Sequence, residues 1–403
     1  MNHLPKLARI PSDVYPDYRY EVIFKGYKWD PQVEDSGTIS EYALLMDGET
    51  ADNLGKWAES LSEETIGIER RLLANLSLAG ELDLPKPILK ALQCSRNMDI
   101  TNHIRVMRFD FHPTDTGWMI SEVNSDVPGG FAEASVLPEI AVGYFNGYAP
   151  GPNTAEKIFG AFEKKLLKNG RIAFVHATSY ADDRQVMQFL SDFFNKRGMD
   201  TFPAAPDHLR WKNKKAVCIA NGFQGDLDGI ARFFPVEWLQ NLPGRTDWQG
   251  DFDTDTPSCN HPAAILTQSK RLPLIWDRIG ADTRHWKALL PETVNPKVIN
   301  PMDKGWVYKP ALGRVGEGIS IREAISEKAL MGIDNAVNKY PNNWVAQRRF
   351  NSIPLFSDAK QPFHLCVGVF TVNCECAGFY GRISHLPRID ERAKDIPILI
   401  AKG

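Results

Sequence analysis

Residues 104–126 read IRVMRFDFHPTDTGWMISEVNSD, and their polar side chains fall at alternate positions. Arg108 and Asp110 lie two apart, as do Glu122 and Asn124, with a Pro-Thr-Asp-Thr-Gly turn signal at 113–117 between the pairs. Side chains alternate sides along a strand, so each pair shares one face of its strand. The intervening Met107, Phe109, Phe111, Met119 and Val123 suit the opposite, buried face. A hairpin with strands at 104–112 and 118–126 brings an arginine, two carboxylates and an amide oxygen into one patch. Such an all-oxygen set suits a hard cation such as Mg²⁺, which takes one or two carboxylates from protein and further ligands from phosphate. Two other readings fit the same residues. Paired carboxylates can act as acid and base in glycoside hydrolysis, and an exposed hairpin can carry a salt bridge with no chemistry at all.

A second chemical stretch follows later, at 305–321: GWVYKPALGRVGEGISI. An apolar run delivers Lys309, three glycines (Gly313, Gly316 and Gly318) follow within six residues, and a strand is expected to resume at Ile319. Glycines let backbone N–H groups approach phosphate without a Cβ in the way. The spacing is not that of a Walker loop.

The run Arg108-Phe-Asp110, followed by Glu122-Val-Asn124-Ser-Asp126, resembles the metal-binding segment of the glutathionylspermidine synthetase family. These are ATP-grasp ligases whose acidic metal ligands come before the nucleotide lysines. The glycine stretch looks like that fold's lysine strand and phosphate-covering loop. Lys270 stands at the place of a family lysine, the strand around Gln347 resembles the hinge strand beside adenine, and Arg382 matches an arginine that neutralises the migrating phosphate. The loop at 176–184, with Asp183, and the segment Glu237-Trp238 resemble an acidic loop and a glutamate–tryptophan segment of the family. The resemblance runs from Arg105 to Arg382 and covers the synthetase part alone, without the family's separate amidase domain.

What the resemblance implies is an α/β (α+β) ATP-grasp fold with a small Rossmann-like α/β subdomain. The order of elements is permuted so that the metal hairpin precedes the nucleotide lysines. It implies Mg²⁺ on Asp110, Glu122 and Asn124, and ATP against Lys270, Lys309, Gly313, Gly316, Gly318 and Gln347. Arg108 and Arg382 would be catalytic, and Ser125, Asp126, Asp183 and Glu237 would face substrate. The implied reaction joins a peptide-like carboxylate to a polyamine-like amine through an acyl phosphate. Alternatives are an amide ligase for another peptide or biosynthetic intermediate, and a nucleotide-binding module that serves a partner without catalysis. One departure stands out: where the family continues with threonine, proline and threonine, this chain has Val127-Pro-Gly-Gly-Phe131.

The elements that must position these residues divide into three regions: 1–153 with the hairpin, 154–245 as a small α/β unit, and 246–403 as the ATP-binding region. Residues 60–78 have helical spacing of Leu61, Ile68, Leu72 and Leu76. Runs at 171–175 and 216–220 read as buried strands alternating with a helical pattern at 184–195, the signature of a parallel sheet. Residues 363–381 read as two strands about a tight turn. Residues 1–50 give no period.

At 403 residues with a formal charge of −3, the chain is no general nucleic-acid binder. No run approaches a membrane span and no apolar leader opens the sequence. The six cysteines form no paired sets, so neither a disulfide framework nor a zinc site is expected, and a reduced cytoplasmic setting is. The expected partners are small-molecule carboxylate and amine substrates.

Overall fold

Two hairpins far apart in the chain lie edge to edge in one antiparallel sheet. Val106–Thr114 and Gly117–Asn124 form the first, Pro362–Val372 and Glu375–Ser384 the second. The strand Pro362–Val372 pairs with Val106–Thr114 so that Val369 faces Phe109 and Gly368 faces Asp110. The short strands Leu355–Phe356 and Lys394–Ile396 complete this six-stranded sheet. The computed structural model describes residues 4–403 apart from 30, 35, 97–99, 167–168, 221–222, 301–302 and 315.

Period two sorts this sheet into two faces. Met107, Phe109, Phe111, Leu365, Val367 and Val369 are all fully buried on one side, against the helix Gly48–Ala74. That helix starts where the Asp47 side chain accepts the Thr50 N–H at 2.8 Å, a cap for an otherwise orphaned donor. Its Leu54, Leu61, Ile68 and Leu72 are at most 1% exposed, each worth about 1.5–3 kcal/mol of burial. The helix expected over 60–78 therefore begins earlier and ends at Ala74. Asn75 then turns the chain into a 3₁₀ segment, Leu76–Leu82, by accepting the Ser77 N–H.

The parallel sheet expected in the middle of the chain is present, in the order Asp200–Ala204, Arg171–His176, Gly229–Phe233, Ser258–Cys259. The helix Ala181–Asn195 forms the crossover between the first two in sequence. The strand Lys215–Ala220 is not a member. It sits between Leu209–Lys212 and Phe223–Asp226 in a separate antiparallel sheet. The cause is local: Asn213 and Lys214 both take positive φ (50° and 63°), a two-residue turn that folds the chain straight back.

Lys309 lies on Trp306–Pro310, which pairs with Trp344–Arg348, itself paired with Thr293–Val294. No strand resumes at Ile319. Instead the Ser320 hydroxyl accepts the Tyr308 N–H at 2.7 Å and the Ser320 N–H donates to the Tyr308 carbonyl at 3.1 Å, so a side chain takes one place of a ladder. A fifth sheet joins early and late segments, with Ile398–Ala401 between Tyr42–Met46 and Tyr148–Pro150, and Lys6–Arg9 outside. Sheets thus run across the divisions at 153 and 245. No helix among the described residues is long and apolar enough to cross a membrane.

One buried ion pair ties the central hairpin to the parallel sheet. Asp126, wholly buried, accepts Arg232 Nη2 at 2.7 Å and the Val236 N–H at 2.9 Å. Removing one partner of such a pair strands the other charge in a place without water. Arg232→Met is therefore expected to destabilise the protein by about 3–5 kcal/mol, read as a lowered midpoint of urea unfolding. An unchanged midpoint would show the pair to be dispensable.

Candidate active site

The site starts from the register of the first hairpin. Arg108 lies opposite Asn124 and Asp110 opposite Glu122, after which the ladder shifts so that Phe111 faces Ile120. Ser121 is the extra residue. This bulge is what allows Glu122 and Asn124 to face the cleft while Trp118 and Ile120, also even-numbered, face the core. It also corrects one expectation: Met119 is half-buried on the cleft side of the turn, and Trp118 and Ile120 fill the core positions.

Asp110 is the hub. Arg108 Nε and Nη2 hold its two oxygens at 2.7 and 3.0 Å, and Arg382 Nη2 and the Asn124 amide reach Oδ2 at 3.2 and 3.3 Å. Burial pushes the carboxyl up, but the two guanidiniums more than reverse this and hold it below the usual range. Arg108 also donates to the Gly129 carbonyl at 2.6 Å. The Tyr380 ring lies between the two arginines, 5.2 Å from Arg108 and 5.3 Å from Arg382. That ring explains the glycine at 130. Gly130 has φ +94°, and a Cβ there would come within 2.8 Å of the ring.

Glu122 is the second carboxylate. Its Oε2 pairs with Lys270 Nζ at 2.9 Å, and the same ammonium donates to the Gly313 carbonyl at 2.7 Å. Burial raises Glu122; Lys270 and then Lys309 outweigh both burial and the neighbouring Asp110, so the net shift is downward. Lys309 Nζ donates to the Ser121 carbonyl at 3.0 Å. Burial lowers Lys309 to about 8, Glu122 opposing.

Arg108, Asp110, Glu122, Asn124, Asp183, Lys309, Gly316, Gln347 and Arg382 all line one cleft of about 1060 Å³. The other expected residues lie off its wall. Lys270 touches Glu122 from behind. Gly313 and Gly318 pack on the Pro310 ring; at Gly316, φ +71° and an Ile389 carbonyl 2.6 Å from any Cβ exclude a side chain. Val315 lies outside the described residues. Ser125 and Asp126, expected at the substrate, are wholly buried. Both their N–H groups donate to Gln268 Oε1 at 2.8 Å, and Asp126 serves Arg232. Glu237 pairs with Arg314 at 2.6 Å and is held above its usual range by burial, which Arg314 counters only in part.

The sequence reading missed several residues of the wall. Lys28 bridges Glu133 (2.8 Å) and Asp395 (2.6 Å), and Tyr380 donates to Asp395 at 2.7 Å. Asp182, not among the expected residues, stands beside the expected Asp183, whose carboxyl burial pushes up to about 6. Tyr380 was within reach of period two, since it lies two residues before Arg382 on one strand. Lys28 has no local signal; only the tertiary fold brings it there.

The donor set fits a divalent ion brought in with phosphate. Two carboxylates stand directly across a strand pair, and Asn124 turns its amide nitrogen to Asp110, which leaves the carbonyl oxygen for a cation. No group of three or more His, Cys, Asp or Glu among the described residues could hold a metal unaided. Mg²⁺, which keeps few protein ligands and shares substrate phosphates, suits such a site.

Comparison with known proteins bears on the fold and the family. A glutathione synthetase like-effector from Globodera pallida, in its apo form, superposes with a TM-score of 0.59 at 12% identity, over 96% of this chain and 98% of that one. That likeness concerns the fold. A proposed gamma-glutamylcysteine synthetase from Methylobacillus flagellatus KT gives a TM-score of 0.44 at 14% identity, over 84% and 86% of the two chains. No curated protein matches the sequence. Residues 9–401 match the family model described as glutathionylspermidine synthase preATP-grasp. The chain belongs to that family and is an ATP-grasp carboxylate–amine ligase.

Proposed function

We propose that this enzyme activates a peptide-like carboxylate with Mg²⁺·ATP and passes the acyl group to a cationic, polyamine-like amine. The observation that carries the reading is the convergence of Arg108, Arg382, Lys270 and Lys309 on two carboxylates in a single cleft. A carboxylate oxygen attacks the γ-phosphorus of ATP and ADP leaves, giving an acyl phosphate. The amine then attacks the acyl carbon, the bond to the phosphate oxygen breaks, and a proton leaves the nitrogen. The products are an amide, ADP and phosphate.

Phosphoryl transfer asks mainly for positioning and charge neutralisation. In this reading Asp110, Glu122 and Asn124 hold the metal, which when bound neutralises phosphate oxygens. Lys309, with Lys270 behind Glu122, meets the nucleotide charge. The strand Trp344–Arg348, with Gln347, borders the base, and the glycine loop with Gly316 covers the phosphates. Arg108 and Arg382, already fixed by Asp110 and Tyr380, hold the reacting carboxylate and the migrating phosphoryl group. Elsewhere on the wall seven carboxylates (Glu133, Asp182, Asp183, Glu317, Asp390, Glu391 and Asp395) stand against five cations (Lys28, Arg314, Arg348, Arg349 and Arg388), a small acidic excess that suits a positively charged amine. The metal hairpin preceding the lysines in the chain accords with a permuted ATP-grasp order. A different peptide or biosynthetic intermediate as carboxylate fits the Gly129-Gly130 departure equally, because Tyr380 fills the space that a side chain at 130 would take.

The direct test is phosphate release from ATP over panels of carboxylates, with hydroxylamine standing in for the amine so that an acyl phosphate is trapped as hydroxamate. ATP- and Mg²⁺-dependent hydroxamate is expected with at least one peptide. Its absence throughout, with no calorimetric binding of Mg²⁺·ATP, would overturn the reading. In the same assay Glu122→Gln, which keeps shape and removes a charge, is expected to lower kcat by about 10²–10³ and to raise the Mg²⁺ needed for half-maximal rate. Near-parental turnover would move the metal elsewhere.

Lys309 gives a pH dependence. Its folded pKa is lowered to about 8 by burial, so the charge that phosphate needs is present below that pH and lost above it. A bound triphosphate favours the charged form. Nucleotide binding between about pH 8 and 9 should then take up a proton, seen as a buffer-dependent calorimetric enthalpy, and Lys309→Met should abolish the uptake. A buffer-independent enthalpy in the parent would place the triphosphate away from Lys309.

A further inference from the structure

We propose that His112 is a positioning residue that sets Lys309 and Glu122 for the nucleotide by holding the Ser121 bulge. The inference rests on the ATP reading above and adds a residue to it. His112 lies on the cleft face of Val106–Thr114, two residues beyond Asp110, and is 9% exposed. Its Nδ1 is 3.0 Å from the Leu365 carbonyl and its Nε2 is 3.0 Å from Ser121 Oγ. A carbonyl only accepts, so Nδ1 carries the hydrogen. Nε2 of the neutral ring then accepts from the Ser121 hydroxyl. Phe350 packs on the ring at 5.2 Å and fixes its plane.

Ser121 is the residue that interrupts the ladder, and its carbonyl is the acceptor for Lys309 Nζ at 3.0 Å. One side chain thus reaches, through one bulged residue, both the ammonium and the neighbouring Glu122. An unbulged ladder would set Ser121 against Phe111 and Ile120 against His112. An apolar side chain would then enter the cleft, or Glu122 would turn to the core. The bond from Ser121 to His112 holds the polar register at this step, and the Leu365 carbonyl anchors it to the second hairpin. The polar atoms of the His112 ring are taken up by Leu365 and Ser121, and the Ser121 carbonyl by Lys309, so their effect is on the placement of the neighbouring groups.

The test measures binding, so no substrate need be known. The probe is a non-hydrolysable ATP analogue, titrated by calorimetry with and without Mg²⁺. His112→Leu and Ser121→Ala are each expected to weaken binding about 10–100-fold, a loss typical when a side chain that orients a ligating group is removed, and to raise the Mg²⁺ concentration needed. The double variant should lose no more than either single one, because the two act as one unit. His112→Gln, whose amide can donate to Leu365 and accept from Ser121, should restore most of the affinity. A merely structural role would lower the melting temperature of His112→Leu, Ser121→Ala and the double variant and leave affinity intact, which would overturn the proposal. Ser121→Ala removes a single hydroxyl and keeps the test open should His112→Leu fail to fold. If the parent itself does not bind the analogue, the ATP reading falls and this one with it. If the parent binds and the variants bind equally well, only the role of His112 falls.

Discussion

Asp110 has been taken out of water, and much of the surrounding structure answers to that. A carboxylate at 1% exposure is tolerable only with charge and hydrogen bonds around it. Arg108 supplies both from its own strand, Arg382 from the second hairpin, and Asn124 from across the first. The arginines in turn need something behind them, and Tyr380 offers each a ring face. Gly368 stands opposite Asp110 on the adjoining strand, where a Cβ would come within 2.7 Å of the Arg108 side chain. Each choice of residue follows from the one before it.

The same arrangement explains why two hairpins some 250 positions apart are joined in one sheet. The polar face of each strand pair is half a site. Only edge-to-edge pairing brings Arg382 within reach of Asp110, and the apolar odd-numbered positions on the opposite face, packed on Gly48–Ala74, stabilise that pairing. The glycine loop is attached in a different way. Lys270 links the Gly313 carbonyl to Glu122, and Arg314 links the loop to Glu237, so the glycine loop and the carboxylate hairpin meet through two ion-paired side chains rather than through a shared sheet.

Much of this was legible from local pattern. Period two put Arg108 with Asp110 and Glu122 with Asn124, and the opposed register is the one the hairpin adopts. The lysine strand and the hairpin at 362–384 were equally plain. Three things were not. The bulge at Ser121 shows in sequence only as a change of parity, with Trp118 and Ile120 apolar and Glu122 and Asn124 polar at even positions, and a strict alternation overrides it. The strand at 215–220 was assigned to the wrong sheet because Asn213-Lys214 is not a common turn pair, yet both residues take positive φ. Ser125 and Asp126 adjoin the site in sequence, but past Asn124 the chain leaves the cleft and dives under Gln268 and Arg232. Nearness along a strand end is a poor guide where the chain turns inward.

The strand Ile398–Ala401 has a consequence for how this molecule comes into being. It lies between Tyr42–Met46, to which it runs parallel, and Tyr148–Pro150. Ribosomes deliver the chain from its N-terminus at about 5–20 residues per second, so this sheet cannot close until its inner strand Ile398–Ala401 has been made. Tyr42–Met46 must wait with an open, apolar edge. Parallel pairing of such distant segments is slow because the intervening loop must be closed before any contact rewards it. Until that strand arrives, the protein therefore exposes a strand edge of the kind that chaperones shield.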